Sequence, residues 1–406
     1  MTRRRLETDR TRSSRSGALT LAVFGATAIV LAACSGDTMS PALSVTTCSI
    51  PLERFTDGGF DRSLIPALKN PRVALRGTPD VAYINFADLV IGVEFNNQPL
   101  AIPLKLLWWH EVADFEVAGE RLTATYSPLT GSSLVFDPAA VGAGDFFVSS
   151  YVLDSNLVME DSTGTLWPQM GPNASCGPRD GATLTRVPYQ QMTFGSWFSI
   201  HLDTWTVSSA TGHDFLYTLY PYGDYRTATN PTLRYPISGS FDPRRPPKER
   251  VIGVPSGTGG VAFSIPALAQ LARADQAGLF PVWVWAANAE AGGEPVVAFW
   301  NSFVGGASVF RSIVDGQRLT FEVVDGTRRD IETGSVWNFT GTAVSGPLEG
   351  AELGTIPEAY VAFWFAWAQF QPDTDVWEPP IPVSIVPDQS VVELPPGPID
   401  WSLASR

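Results

Sequence analysis

The sequence predicts a β-dominated α+β protein made of two tandem, similar β-rich units with short helices. Three observations indicate this class: thirteen Trp with 23 Phe, 36 Gly with 33 Pro, and blocks of similar sequence that occur twice in the same order. Aromatic side chains suit pleated sheets, whereas Gly and Pro interrupt helices and form turns. The 44% hydrophobic and 17% charged content of the 406 residues indicates a packed globular body.

The N-terminus has the order of an export signal, because an Arg-rich segment precedes an apolar run from about Gly17 to Ala33. The run ends at Cys34 in a pattern that resembles the lipobox of bacterial lipoproteins, in which this cysteine is lipidated and becomes the first mature residue. A transmembrane anchor is an alternative, although about 17 residues are marginal for ~30 Å of hydrocarbon. The twin-arginine export route is a second alternative. We therefore predict an exported protein that is lipid-anchored to the bacterial cell envelope, with the membrane as its partner.

Internal repeats organise the rest of the chain. Tyr126–Phe136 aligns without gaps on Trp300–Phe310, and Thr163–Trp167 matches Thr333–Trp337. Further matches pair Val90–Val93 with Val251–Val254, Gly177-Pro178 with Gly346-Pro347, Trp197 with Trp367, and Asp203-Thr204 with Asp373-Thr374. The predicted organisation is a signal peptide 1–33, a tether 34–56, a first repeat 57–240, a second repeat 241–377 and a Pro-rich tail 378–406.

Local patterns predict the elements within these repeats. The predicted strands are Val81–Ile84, Leu89–Val93, Arg121–Tyr126 and Leu134–Phe136. The predicted helices are Pro103–Val112, Tyr189–His201, Ile265–Leu279 and Glu358–Phe370.

The net charge of −14 argues against a nucleic-acid partner, since phosphate binding needs clustered Lys and Arg. No phosphate loop or dinucleotide fingerprint occurs, so a nucleotide ligand is not expected. No motif in the sequence identifies a cofactor, which stays unknown. The expected partner is a small-molecule ligand or an envelope protein.

The strongest candidates for catalytic chemistry are His110, Glu111 and Ser127. Imidazole titrates near neutrality and coordinates metals, so His110 is a candidate general base or metal ligand. Ser127 as nucleophile, with His110 as base and Glu111 or Asp161 as acid, would form a hydrolase-like triad. Against this, no G-x-S-x-G elbow surrounds Ser127, and His110 beside Trp108 and Trp109 also fits a histidine held at the edge of an aromatic core. A metal site that joins His110 to His201 or His213 has no diagnostic spacing.

Candidate ligand-binding residues are Tyr126, Trp167 and His201. Trp167 has a counterpart in the second repeat, which core packing explains more simply than ligand stacking. Cys48 and Cys176 could form a disulfide in an exported protein, while Cys176 as a metal or redox ligand is the alternative.

Several ordered motifs of the chain resemble those of the domain of unknown function 3179 family. They are Ile65–Leu68, Pro103–Glu111, Thr125–Leu129, Asp161–Trp167 with Gln169, Gly177–Leu184, Thr333–Trp337, Phe363–Trp367 and Pro372–Thr374. The resemblance implies no particular activity. In the family pattern a cysteine stands where this chain has Ser127, so a thiolate-dependent role would be altered here.

Three hypotheses follow for the function. The first is a non-catalytic envelope lipoprotein that binds a small ligand in a cleft of the first repeat lined by His110, Tyr126 and Ser127. The second is an enzyme or metalloprotein centred on His110 and Glu111. The third is a structural protein that uses its repeat surface for interactions.

Overall fold

Mostly antiparallel β-sheets make up the fold, which confirms the β-dominated α+β class. A computed structural model of the chain describes residues 47–257, 259–274 and 283–380. The first half, up to residue 240, contains the strands β1 (Thr56–Asp57), β2 (Leu68–Lys69), β3 (Val73–Leu75), β4 (Leu89–Phe95), β5 (Gln98–Pro103), β6 (Val112–Val117), β7 (Glu120–Ser127), β8 (Ser132–Asp137), β9 (Phe146–Leu153), β10 (Asn156–Asp161), β11 (Leu166–Pro168), β12 (Thr185–Arg186), β13 (Gln190–Thr193) and β14 (Trp205–Val207).

The second half, from residue 241, has a similar series of strands. They are β15 (Arg250–Ser256), β16 (Gly259–Ser264), β17 (Val284–Ala291), β18 (Glu294–Asn301), β19 (Gly306–Arg311), β20 (Ile313–Val314), β21 (Gln317–Arg318), β22 (Phe321–Val324), β23 (Thr327–Asp330), β24 (Val336–Trp337), β25 (Ala343–Ser345), β26 (Gly354–Thr355), β27 (Tyr360–Phe363) and β28 (Asp373–Val376). The α-helices are α1 (Leu104–His110), α2 (Phe194–Ile200), α3 (Ile265–Ala274) and α4 (Trp364–Phe370), and 3-10 turns occur at Leu52–Arg54, Arg62–Leu64, Pro79–Val81 and Ala139–Val141.

Both ends of the chain lie outside the described residues. These ends include the predicted signal peptide 1–33, Cys34, most of the tether and the tail beyond Pro380. In the part that is described, no helix is long and apolar enough to cross a membrane.

The two halves share strand orders. A five-stranded sheet has the order β13-β4-β5-β14-β3, and a four-stranded sheet repeats its first four positions as β27-β15-β16-β28. In each sheet a β-hairpin lies in the middle. The strand that precedes a helix pairs with one side of the hairpin, and the strand that follows the same helix pairs in parallel with the other side. The shared order is a property of the structure, while the tandem duplication and its boundaries stay a prediction.

Matching tryptophans pack on these hairpins. A Cβ atom built on Gly92 would lie 2.2 Å from the Trp197 indole, so only glycine leaves room for the ring. Gly253 is in the same position against Trp367, also at 2.2 Å. The indole N–H groups donate to threonine hydroxyls that follow each helix, Thr204 at 2.8 Å and Thr374 at 3.0 Å.

Two hydrophobic cores join residues from both halves. One packs β4, β13 and α2 against β18, β19 and β24. The other packs β6, β8, β9 and β10 against β15, β16, β27 and α4. Burial of apolar surface is the main stabilising term in folding, so each half depends on the other for part of its stability.

One predicted strand is wrong, and two predicted helices are wrong in part. Val81–Ile84 is not a strand, because Pro79 begins a 3-10 turn that ends at Val81. The helices predicted at Tyr189–His201 and Glu358–Phe370 begin only at Phe194 and Trp364, since β13 and β27 precede them. Short apolar runs such as β27 fit a buried strand as well as a helix, and pairing with β15 decides the matter.

Candidate functional site

His110 is the last residue of α1 and is fully buried. Its Nδ1 atom lies 2.6 Å from the Pro66 carbonyl oxygen, which can only accept, so Nδ1 carries the proton. Nε2 therefore accepts from the Tyr217 hydroxyl at 2.7 Å, and Tyr217 in turn accepts from Thr211 at 2.6 Å. Both ring nitrogens of His110 are thus occupied.

Burial also fixes the charge of this imidazole. It lowers the pKa of His110 to about 3, although the Pro66 carbonyl acts in the opposite direction. The ring is therefore neutral near pH 7. A neutral, doubly hydrogen-bonded ring matches the histidine held at the edge of an aromatic core, with Phe215 and His213 packed against it at centroid distances of 5.3 Å each.

Glu111 follows directly after α1 in an unusual conformation, with φ of 55°. Such left-handed geometry is uncommon for a non-glycine residue. Its backbone joins two elements, because the Glu111 N–H donates to Leu107 at 2.9 Å and its carbonyl accepts from Tyr126 at 2.8 Å. The backbone thus places Glu111 beside the end of β7.

The Glu111 carboxyl is buried and accepts one hydrogen bond, from the Tyr222 hydroxyl at 3.2 Å. Burial raises the pKa of Glu111 to about 8, with the Tyr222 bond acting in the opposite direction. Glu111 is therefore mainly protonated at pH 7, and its carboxyl can donate a hydrogen bond.

Ser127 ends β7 and is fully buried. Its hydroxyl has no hydrogen-bond partner among the residues that the structure describes. Because His110 bonds Pro66 and Tyr217 instead, the hydrolase-like triad is not assembled. His110 and Ser127 are each 0% exposed, so they do not line an open cleft.

An Arg–Tyr cluster surrounds this end of β7, and we define it as Tyr126, Tyr220, Tyr222, Tyr225, Arg226, Arg234 and Arg250. The Arg226 guanidinium lies 4.4 Å from the Tyr220 ring centroid and 5.4 Å from that of Trp108. The Arg234 guanidinium lies 5.6 Å from the Tyr222 ring and 6.0 Å from the Tyr225 ring. Such distances permit cation–π attraction.

Electrostatics connect the remaining members of this cluster. Burial raises the pKa of Tyr126, while Arg250 and Arg226 act to lower it. Burial also lowers the pKa of Arg250. Within the described parts of the chain, none of the three cluster arginines forms an ion pair with a carboxylate. Arg226 is exposed and so brings the cluster to the solvent.

Lys248 adds a further basic group next to the cluster. The side chain is 1% exposed, with Nζ 3.4 Å from the Tyr225 ring centroid and 2.5 Å from the Thr232 carbonyl to which it donates. Burial lowers the pKa of Lys248 to about 7, partly opposed by Asp224. Near neutral pH the amine is therefore only partly charged.

A buried polar network lies under the corner between β7 and β8. Gln169 donates to Thr125 at 2.8 Å and accepts from Ser132 at 2.5 Å. Asn156 donates to Gln169 at 2.8 Å and to Thr130 at 2.9 Å. In the predicted alignment, Phe299, Val304, Gly306 and Phe339 replace Thr125, Thr130, Ser132 and Gln169. Buried polar chemistry at this corner is thus particular to the first half.

The other predicted residues lie in separate places. Trp167 is in a core, where its indole N–H donates to Asp161 at 3.1 Å. His201 packs against Trp197 in a tilted arrangement with ring centroids 4.2 Å apart. Cys48 and Cys176 form a disulfide bond. In the residues covered by the structure, no group of three or more His, Cys, Asp or Glu could hold a metal ion.

Sequence reasoning singled out Glu111, Tyr126 and Ser127, and the structure places these three at the same end of β7. It missed Tyr217 and Tyr222, which bond His110 and Glu111, and it missed the arginines. A usable signal was the stretch Tyr217–Tyr225, which has four tyrosines in nine residues and is followed by Arg226.

Comparisons with known proteins identify the family of the chain. Neither a search of curated proteins nor a search of solved structures finds a match. A family model described as a protein of unknown function (DUF3179) matches residues 62–374, which confirms the resemblance seen in the motifs. Because this match covers well over half of the 406 residues, the chain belongs to the DUF3179 family.

Proposed function

We propose that the protein binds a small anionic ligand at the Arg–Tyr cluster, which joins residues of the first half to Arg250 at the start of the second half. The observation that carries this proposal is the charge of the cluster, in which three guanidinium groups lack a carboxylate partner among the described residues although the chain has a net charge of −14. Arginine is suited to bidentate recognition of carboxylate and phosphate groups.

An unpartnered hydroxyl group in the cluster supports the same proposal. The Tyr220 hydroxyl oxygen is buried without a hydrogen-bond partner in the part of the chain that is described. A buried polar group without a partner costs about 1–3 kcal/mol, so a ligand that supplies one is favoured. The protonated Glu111 carboxyl adds a donor to the same region without the repulsion that a carboxylate would exert on an anion.

The test is isothermal titration calorimetry of the purified protein with inorganic phosphate and with succinate, and with succinamide as the neutral control. We expect saturable binding of at least one anion and binding of succinamide that is at least tenfold weaker. Equal affinities for succinate and succinamide, or no saturable binding of either anion, would overturn the proposal.

We also propose that the chain is exported and lipid-anchored through Cys34. The support is the Arg-rich start, the apolar run and the lipobox-like ending. Mass spectrometry of the protein expressed in a bacterium tests this. We expect an N-terminal peptide that begins at an acylated Cys34, and the variant Cys34→Ala to lose the acyl chains. An intact residue 1–33 segment in the wild-type protein would contradict it.

A further inference from the structure

A cavity of about 410 Å³ lies in the second half, within the size range of small-molecule sites. It is formed by β17, β22 and the segment that follows β28. Its lining includes Trp285, Phe321, Glu322, Trp377 and Glu378. No lining residue belongs to the Arg–Tyr cluster, so this is a separate site.

Aromatic groups provide the apolar walls of this cavity. Trp285, Phe321 and Trp377 all line it. Indole faces are the best aromatic partners for cations. The Trp285 Nε1 atom is buried and has no hydrogen-bond partner among the described residues, so a donor is left for a hydroxyl-bearing ligand.

The charge around the cavity is negative. Glu322 and Glu378 are its charged lining residues, and no lining residue is basic. Arg245 pairs with Glu378 at 3.2 Å and lies 3.8 Å from the buried Glu249, so one guanidinium faces two carboxylates. Glu322 adds a third carboxylate and stands opposite Arg329 in the β22–β23 pairing, so three carboxylates face two guanidinium groups. This excess of negative charge favours a cation in the cavity.

We propose that this cavity binds a small organic ammonium ion that carries a hydroxyl group. Its charge would lie against the Trp285 and Trp377 rings within the field of the carboxylates. Its hydroxyl oxygen would accept from Trp285 Nε1. The charge of this ligand is thus opposite to that of the anion proposed for the Arg–Tyr cluster.

The probe is choline, and its control is 3,3-dimethyl-1-butanol, which has the same shape without the charge. Calorimetry of the purified protein should show saturable choline binding, with the neutral compound at least tenfold weaker. Equal affinity for both compounds would mean that only an apolar pocket is present and would overturn the proposal. Absence of saturable choline binding would overturn it as well.

Two variants assign the binding to this cavity. Trp285→Leu should weaken choline binding at least tenfold, whereas Trp283→Leu should leave it unchanged because Trp283 packs on Phe303 instead. Glu322→Gln, at an exposed position, should weaken binding several-fold without affecting folding, and Glu349→Gln is its exposed control. Unchanged affinity in Glu322→Gln together with unchanged affinity in a folded Trp285→Leu would contradict the proposal.

Discussion

The backbone N–H of Phe363, in the second half, donates to the carbonyl oxygen of Thr130, in the first half, at 2.7 Å. The reverse arrangement is also present, since the Thr193 N–H donates to the Val304 carbonyl at 3.1 Å. Phe363 and Thr193 end the strands before α4 and α2, while Thr130 and Val304 lie in the corners that follow β7 and β18. In each half, the strand that precedes the helix is therefore hydrogen-bonded to the corner of the other half.

Gly131 at the first corner should not tolerate a side chain. Its φ is 59°, and a Cβ atom would lie 2.7 Å from the Phe363 ring. We expect Gly131→Ala to lower the free energy of unfolding by about 3 kcal/mol, the sum of backbone strain and overpacking. Gly142→Ala is the matched control, because its φ is 56° with no atom within 4 Å, and it should cost only about 1 kcal/mol. Urea denaturation measures both, and equal losses would show that Phe363 is not the obstacle.

Neither half should fold alone. The two mixed cores leave large apolar surfaces exposed when residues 241–406 are removed. We expect each half, divided after residue 240, to lack a cooperative thermal transition, and co-expression of the two pieces to restore one. A cooperative transition in either isolated half would contradict the interlocked arrangement.

The Glu111 carboxyl makes stability depend on pH. Burial raises its pKa from 4.5 to about 8 in the folded protein, so the folded state binds more protons in this window. Its contribution to stability is therefore lost as pH rises from about 4.5 to about 8. Glu111→Gln should remove this pH dependence. The free energy of unfolding of the variant should therefore rise relative to that of the wild type by as much as roughly 1.4 kcal/mol per pH unit in this window. The exposed Glu120→Gln is the control, and a parallel pH profile for Glu111→Gln and wild type would refute the assignment.

Gln169 should be the most sensitive residue of the buried polar network. Gln169→Ala removes the hydrogen bonds that Gln169 makes to Thr125, Ser132 and Asn156, and each lost bond costs about 0.5–1.5 kcal/mol because all three residues keep another partner. We expect a loss of at least about 2 kcal/mol in chemical denaturation. Gln98→Ala, at an exposed position, should change stability by less than about 0.5 kcal/mol. A loss below about 1 kcal/mol in Gln169→Ala would show that the network contributes little.

Much of the fold could be predicted from local patterns. Arg121–Tyr126 and Leu134–Phe136 lie inside β7 and β8, and the predicted helix Pro103–Val112 contains α1. The failures occur where tertiary pairing decides between strand and helix, as at β13 and β27. A strand of four residues, whether mostly polar as at β13 or apolar as at β27, is too short for its hydrophobic period to distinguish a strand from a helix.

The site was harder to predict, because its partners are distant in sequence. His110 bonds Tyr217, which is 107 residues away, and Glu111 bonds Tyr222, which is 111 residues away. No spacing rule connects such residues. A histidine beside a glutamate is typical of a catalytic pair. Here the two buried side chains bond different partners and are mainly neutral near pH 7, so the arginines carry the charge of this region.

Anion binding by the arginines of the Arg–Tyr cluster can be measured directly in the variants Arg226→Gln and Arg250→Gln. The measurement is their affinity for inorganic phosphate or succinate, whichever binds the wild type more tightly. The control is Arg318→Gln, at a surface arginine whose guanidinium pairs with Glu290 at 2.8 Å. We expect each cluster variant to weaken binding at least tenfold and Arg318→Gln to leave it unchanged. Wild-type affinity in both cluster variants would contradict anion binding by these arginines.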